Sequence, residues 1–353
     1  MGGSGITEYQ REAVRRVNEH AKKTLPVCRD NVERFCASAG VDALSLIEAI
    51  RHRPITVNFH PDRFSNNGLT IISNLIRQGQ YHSQYMTGTS NGGRTAYRGG
   101  DRDIWEKRIF FDTYPPGAKN RPVYGALNIF GYLDGASMRF GSCFFTLKDE
   151  VVVRCTYAYG DSSSTPKTLC TFESFWGIAD EILREYTQKG IILNRVFTHF
   201  TEPEVLSALL FFDHVPKNMG RNLNDCIEVH VHGDVMLGDD VESLYIDESY
   251  RNTDIEVQAC TLCERYKITL QWIPERRLPI HHIDALFRGP KLGELARLID
   301  EKFGHKGYID AELIGRGSRD SVCRPEAWSR IGNETELFQY FKQLWHTVGY
   351  FGS

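Results

Sequence analysis

Three stretches of the chain gather side chains able to do chemistry. His60-Pro61-Asp62-Arg63 sets an imidazole, a carboxylate and a guanidinium within four residues. Such groups orient polar ligands through charge-assisted hydrogen bonds, or simply face water in a surface turn. The second stretch, SQYMTGTSNGGRTAYRGG at 83–100, mixes glycines with Thr87, Thr89, Ser90 and Asn91. That backbone can approach a ligand closely or serve as a connecting loop. The third, DCIEVHVHGDVML at 225–237, alternates in polarity. On a strand Cys226, Glu228, His230 and His232 share one face, and Ile227, Val229 and Val231 take the other. An apolar face this regular is buried, so the polar face lines something wet or lies exposed.

Several familiar motifs are excluded by context. His-Pro-Asp is the tripeptide of J-domain co-chaperones, where it follows a basic helix. Here it follows Ile55-Thr56-Val57-Asn58-Phe59, which has the period of a strand and prolines at 54 and 61. Residues 83–100 lack the Gly-Lys-Ser/Thr of a P-loop and the Gly-x-Gly-x-x-Gly of a dinucleotide fold. A metal-dependent hydrolase would use His60, His230 and His232, yet no third ligand of familiar spacing accompanies the last two. Cys260 and Cys263 have zinc-knuckle spacing without a second pair, and only His281 and His282 lie near in sequence. Ser162–Ser164 lie outside any Gly-x-Ser-x-Gly elbow.

The elements that must position these residues read as α+β. Helices are expected at 7–23, 43–52, 68–78, 101–111, 172–188, 202–213, 290–303 and 334–346. Strands are expected at 55–60, 121–130, 138–147, 150–158, 226–232, 255–260 and 266–273, with an exposed loop at 161–167. The chain of 353 residues is 41% apolar and 25% charged, with a net charge of −3. Those figures suit a soluble globular protein and give no basic field for nucleic acid. No apolar run is long enough for a membrane span. Nine cysteines, an odd number, point to reduced thiols. The opening MGGSG reads as an expression scar, so a native targeting signal need not be visible.

Taken in order, NFHPDR, YHSQYMTGTSNGG, GGDRDIWEKRIFF, RPVYGALNIF, MRFGSCFFTLK and IEVHVHGDVMLGDDVESLYIDESYR resemble the CteC-like ADP-ribosyltransferases. The resemblance covers roughly residues 50–275. It implies a split mixed β-sheet core related to the poly(ADP-ribose) polymerases, formed by 51–160 and 223–275. N-terminal helices at 1–50, a helical insertion at 161–222 and a C-terminal helical region at 276–353 would be added to it. The implied activity moves ADP-ribose from NAD, as substrate, to a threonine hydroxyl of ubiquitin, with no metal. By the same resemblance the chain would be a soluble, secreted effector working in a host cytosol.

The family's aspartate–glutamate pair would fall on Asp62 and Glu228, with Glu242 as the rival glutamate. Glu228 would stabilise positive charge on the ribose. Asp62 would anchor the ribose or take the acceptor's proton. His60, Arg63, Thr87, Gly88, Ser90 and Asn91 would line the nicotinamide pocket, and Tyr124 would stack on the ring. Two other readings stay open: an NAD-hydrolysing toxin domain, and an interaction module with a degenerate site.

Overall fold

A computed structural model describes residues 5–88, 95–164, 166, 168–211, 223 and 225–353. The fold is α+β around a large mixed sheet. Its strands are Ile55–Phe59 (β1), Val123–Leu127 (β2), Cys143–Leu147 (β3), Cys155–Tyr159 (β4), Leu169–Thr171 (β5), Ile227–Val231 (β6), Val241–Asp247 (β7) and Thr269–Ile273 (β8). They lie side by side in the order β8-β7-β3-β1-β2-β6-β4-β5. All neighbours are antiparallel except β7 and β8.

Paired residues on neighbouring strands share a face, so the register sorts the side chains into two sets. One face is apolar: Ile55, Val57, Phe59, Leu127, Phe145, Val229 and Val231 join one core with Leu46 and Ile50 of the helix Ala43–Arg51 and Ile178 and Ile182 of the helix Trp176–Lys189. Phe59 and Phe145 stack within it at 4.9 Å. The other face carries Thr56, Asn58, Tyr124, Ala126, Thr156, Ala158, Glu228 and His230. Polar groups can be covered only if their hydrogen bonds are made.

Two structures cover that polar face. Over β1 runs the segment 134–141. Ala136 donates its backbone N–H to Thr56 Oγ1 at 3.0 Å, Ser137 Oγ donates to Asn58 Oδ1 at 3.1 Å, and Asn58 Nδ2 donates to the carbonyls of Asp134 and Gly141. Over the β2–β6 side lies the helix Asp101–Ile109. It is held from outside by the helix Glu8–Lys22, whose Ala13 and Val17 pack on Ile109, Phe110 and Tyr114. No helix among the described residues is long and apolar enough to cross a membrane.

Three expected strands differ in the structure. Residues 255–260 belong to the helix Asp254–Tyr266. Ile255 and Val257 alternate with polar neighbours, but Thr253 Oγ1 caps the Ile255 N–H and burial follows helical spacing through Ile255, Ala259, Leu262 and Cys263. Val257 is left 66% exposed. The start of 138–147 is a 3₁₀ turn, Met138–Phe140, and the start of 150–158 is another, Asp149–Arg154. The helices Leu25–Ser38 and Ala311–Cys323 were not expected, and neither was β7, which carries Glu242 exposed. All nine cysteines are free thiols.

The helix Ala311–Cys323 gives a pH dependence. Asp310 caps it by accepting the Leu313 N–H at 2.8 Å. Burial pushes Asp310 up to about 6 and Glu312 up to about 7, from ordinary values of 3.8 and 4.5. The folded state therefore favours the protonated carboxyls. Their contribution is fully present below about pH 4 and is lost as pH rises through the range of about 6 to 7. Denaturant unfolding should show lower stability at pH 8 than at pH 5, and Glu312→Gln should shrink that difference. An undiminished difference in the variant would contradict the assignment.

Candidate functional site

Glu228 is the second residue of β6, and its register neighbours are Ala126 on β2 and Ala158 on β4. Both alanines are fully buried, while Glu228 itself is half-buried. One residue pair further along stand Tyr124, His230 and Thr156, paired in the same way. Glu228 is thus a carboxylate on a floor of small side chains, backed by a row of hydrogen-bonding ones.

That row holds Glu228 through a buried chain of hydrogen bonds. His230 Nε2 lies 2.8 Å from Glu228 Oε1, and His230 Nδ1 lies 3.0 Å from Thr156 Oγ1. Thr156 Oγ1 is 3.1 Å from His232 Nε2, and His232 Nδ1 is 2.6 Å from the Tyr114 hydroxyl. One proton assignment satisfies every link. Tyr114 O–H donates to His232, His232 N–H to Thr156, Thr156 O–H to His230, and His230 N–H to the carboxylate. Both histidines are neutral in this assignment, and burial holds His232 well below the usual histidine range. Phe110 closes the chain off, its ring 5.2 Å from His230 and 5.0 Å from His232. All four ring nitrogens are thereby committed to protein partners. Among the described residues no three His, Cys, Asp or Glu side chains form a group able to hold a metal ion.

A second buried network stands over the floor on the helix Asp101–Ile109. Arg102 Nε donates to Glu106 Oε1 at 2.9 Å, and the Tyr124 hydroxyl donates to the same oxygen at 3.0 Å. Arg121 spans Glu106 Oε2 at 3.3 Å and Asp103 Oδ1 at 2.9 Å. The Arg102 guanidinium stacks on the Tyr124 ring at 4.1 Å. Glu228 is close enough to act electrostatically on both Arg102 and Tyr124. Arg102 Nη2 is buried with no hydrogen-bond partner among the described residues. A buried cationic N–H without an acceptor is costly, and it marks a place where a ligand oxygen would be welcome.

The other expected site residues lie elsewhere. Asp62 is buried; its Oδ2 accepts from the Tyr250 hydroxyl at 3.1 Å, and burial raises its pKa. It packs on Gly315, where an added Cβ would stand 1.3 Å from Oδ2. Thr56, Ala126 and Glu228 are level across three strands. Asp62 lies beyond the far end of β1, so the two carboxylates are about 15 Å or more apart by strand geometry. Arg63 Nη1 donates to the Ile314 carbonyl at 3.1 Å. His60 is half-buried, edge-on to Trp345 at 5.4 Å, and burial holds it well below the usual histidine range. Thr87 Oγ1 donates to the Ser83 carbonyl, and Gly88 ends that turn at φ +62° beside Asn66. Ser90 and Asn91 lie outside the described residues. Tyr124 does sit beside the Glu228 row, with Arg102 on its ring.

Sequence reasoning missed Arg102, Glu106, Arg121, Thr156 and Tyr114. The sequence shows only a charged helix here, and in the structure Arg102, Asp103 and Glu106 are 5%, 1% and 0% exposed while Ile104 is 58% exposed. The signal available in the sequence was the i,i+4 pair of Arg102 and Glu106.

With this geometry in view, the class is an α+β protein whose mixed sheet bears a half-buried carboxylate, Glu228, on its polar face. The chain belongs to the DUF3626 family, described as a protein of unknown function, whose model matches residues 54–351. No curated protein matches it.

The donor chain predicts a stability cost. Tyr114→Phe strands His232 Nδ1 in the interior and should cost about 1–3 kcal/mol in denaturant unfolding. A variant as stable as the wild type would contradict the chain.

Proposed function

We propose that the protein is a mono-ADP-ribosyltransferase that moves ADP-ribose from NAD to a hydroxyl of a protein acceptor, with a threonine of ubiquitin the first acceptor to try. The split-sheet ADP-ribosyltransferase core is part of this reading. The observation that carries it is Glu228, a fixed carboxylate with small neighbours and a buried, unsaturated guanidinium beside it. The ordered resemblance of the sequence motifs supports the same reading.

The chemistry needs little more than this. As the bond from nicotinamide nitrogen to ribose C1′ breaks, its electron pair leaves with nicotinamide and the sugar gains oxocarbenium character. A carboxylate at Glu228 hydrogen-bonds the ribose hydroxyls and stabilises that charge. Its orientation is already set by His230, so little reorganisation is needed at the moment of reaction. The acceptor oxygen then bonds to C1′, and its proton passes to Glu228 or to water. Arg102 Nη2 supplies a donor to the ligand, and Tyr124 acts by holding Arg102. Asp62 is too far from this floor to share the reaction; it acts as a positioning residue that fixes the His60–Arg63 turn to the helix Ala311–Cys323.

These roles separate under mutation. Incubation with NAD and ubiquitin, followed by intact mass, should show one added ADP-ribose with wild type. Glu228→Gln should lose at least about 10²-fold of NAD turnover while keeping wild-type stability, the size of effect seen on removing a preorganised electrostatic group. Asp62→Ala should lose stability more than turnover per folded molecule. NAD consumed without any labelled protein would favour plain hydrolysis. Turnover untouched by Glu228→Gln would overturn the proposal.

A further inference from the structure

The two buried networks around Glu228 differ in one respect. Among Arg102, Glu106, Arg121 and Asp103, guanidinium groups only donate and carboxylates only accept, so each link has a fixed direction. In the chain from Tyr114 to Glu228 every inner member is a hydroxyl or a neutral imidazole, and each of these both donates and accepts. Distances alone therefore allow that chain to run either way. Its end decides: an ionised carboxylate only accepts, so Glu228 draws the donors toward itself. The direction then passes back, link by link, to Tyr114.

The packing keeps every link in place. Tyr114, Thr156, His230 and His232 are buried, so bulk water does not compete for their hydrogen bonds. The His230 ring packs edge-on to Tyr124 at 4.8 Å and to Phe110 at 5.2 Å. His232 packs on Phe110 at 5.0 Å, and Arg154 clamps its backbone. The Arg154 carbonyl accepts the His232 N–H at 3.2 Å, and Arg154 Nη1 donates to the His232 carbonyl at 2.7 Å. Rings held in this way exchange donor for acceptor by moving a proton, not by turning over. Thr156 is set opposite His230 by the pairing of β4 with β6. Among the described residues its hydroxyl is the hydrogen-bonding link between the Tyr114–His232 half and the His230–Glu228 half. A hydroxyl has one proton, so giving it to His230 obliges Thr156 to accept from His232.

We infer that Thr156, His232 and Tyr114 are positioning residues for the reaction at Glu228: together they fix the direction in which His230 hydrogen-bonds, which commits Oε1 to His230 and leaves Oε2 to face the ligand. The reaction part of this inference rests on the proposed function; the directed chain does not. Links that point the same way polarise one another, so the far end is felt at the carboxylate. Thr156 is the hinge of the argument, because valine in its place has nearly the same shape but neither donates nor accepts.

The test is a double-mutant cycle on the full chain. Thr156→Val should lower kcat for NAD turnover by about 10- to 100-fold with KM little changed, the size typical of losing an outer partner that orients a reacting group. Thr156→Ser keeps the hydroxyl and should recover most of that loss. Tyr114→Phe alone should lower kcat, but it should add no further loss once Thr156→Val has cut the chain. Losses that multiply in the double variant, or Thr156→Ser as slow as Thr156→Val, would mean separate packing effects and overturn the inference. The direction is read without turnover, by nitrogen NMR of histidine-labelled protein near pH 7. His230 and His232 should both carry their proton on Nε2 in wild type. Tyr114→Phe should shift the His230 Nε2–H signal when Thr156 is present and leave it unmoved in Thr156→Val. A proton on Nδ1 of either ring in wild type, or a His230 signal blind to Tyr114→Phe, would overturn the chain. A chain that passes these NMR tests in a protein that leaves NAD intact would keep the directed chain and remove the transferase reading.

Discussion

The structure depends on the burial of a polar sheet face. Apolar side chains on one side of the strands pack the sheet against its helices. The other side then presents Thr56, Asn58, Tyr124, Thr156, Glu228 and His230 to whatever covers it. Each of these groups must keep its hydrogen bonds, and the covering segments exist to supply them. The 134–141 segment satisfies Thr56 and Asn58, and helix Asp101–Ile109 satisfies Tyr124. Tyr114 closes the chain that ends at Glu228. Even the N-terminal helix Glu8–Lys22 serves this end, because it presses Ile109, Phe110 and Tyr114 into place.

Glu228 is what remains half-uncovered. Ala126 and Ala158 flank it, and Arg102 brings a spare donor from the helix Asp101–Ile109. Affinity for an anionic ligand would come from charges placed before it arrives, which costs folding stability and saves reorganisation on binding. The burial of Arg102, Glu106 and Arg121 fits that pattern. A buried charge network adds little to stability over apolar packing, but loss of one member is expensive.

Much of the floor was legible because strands obey a period of two. The alternation in IEVHVH assigned Glu228 and His230 to one face, and the structure keeps them there. The strand ITVNF was equally plain. What failed was long-range or context-dependent. Ile255 and Val257 alternate like a strand, but the cap at Thr253 makes a helix whose burial follows a period near 3.6. Nothing local in helix Asp101–Ile109 tells that its charges are buried; only the tertiary partners Arg121 and Tyr124 show why they point inward. Asp62 was singled out as a reactive carboxylate at a strand end, and no local pattern could reveal that Gly315, over 250 positions later, would cover it.

The most direct test is a crystal structure of the Glu228→Gln protein soaked with NAD. The account predicts nicotinamide ribose with its hydroxyls within hydrogen-bond reach of residue 228. NAD bound instead beside Asp62, or absent from the neighbourhood of residue 228 at saturating concentration, would contradict it.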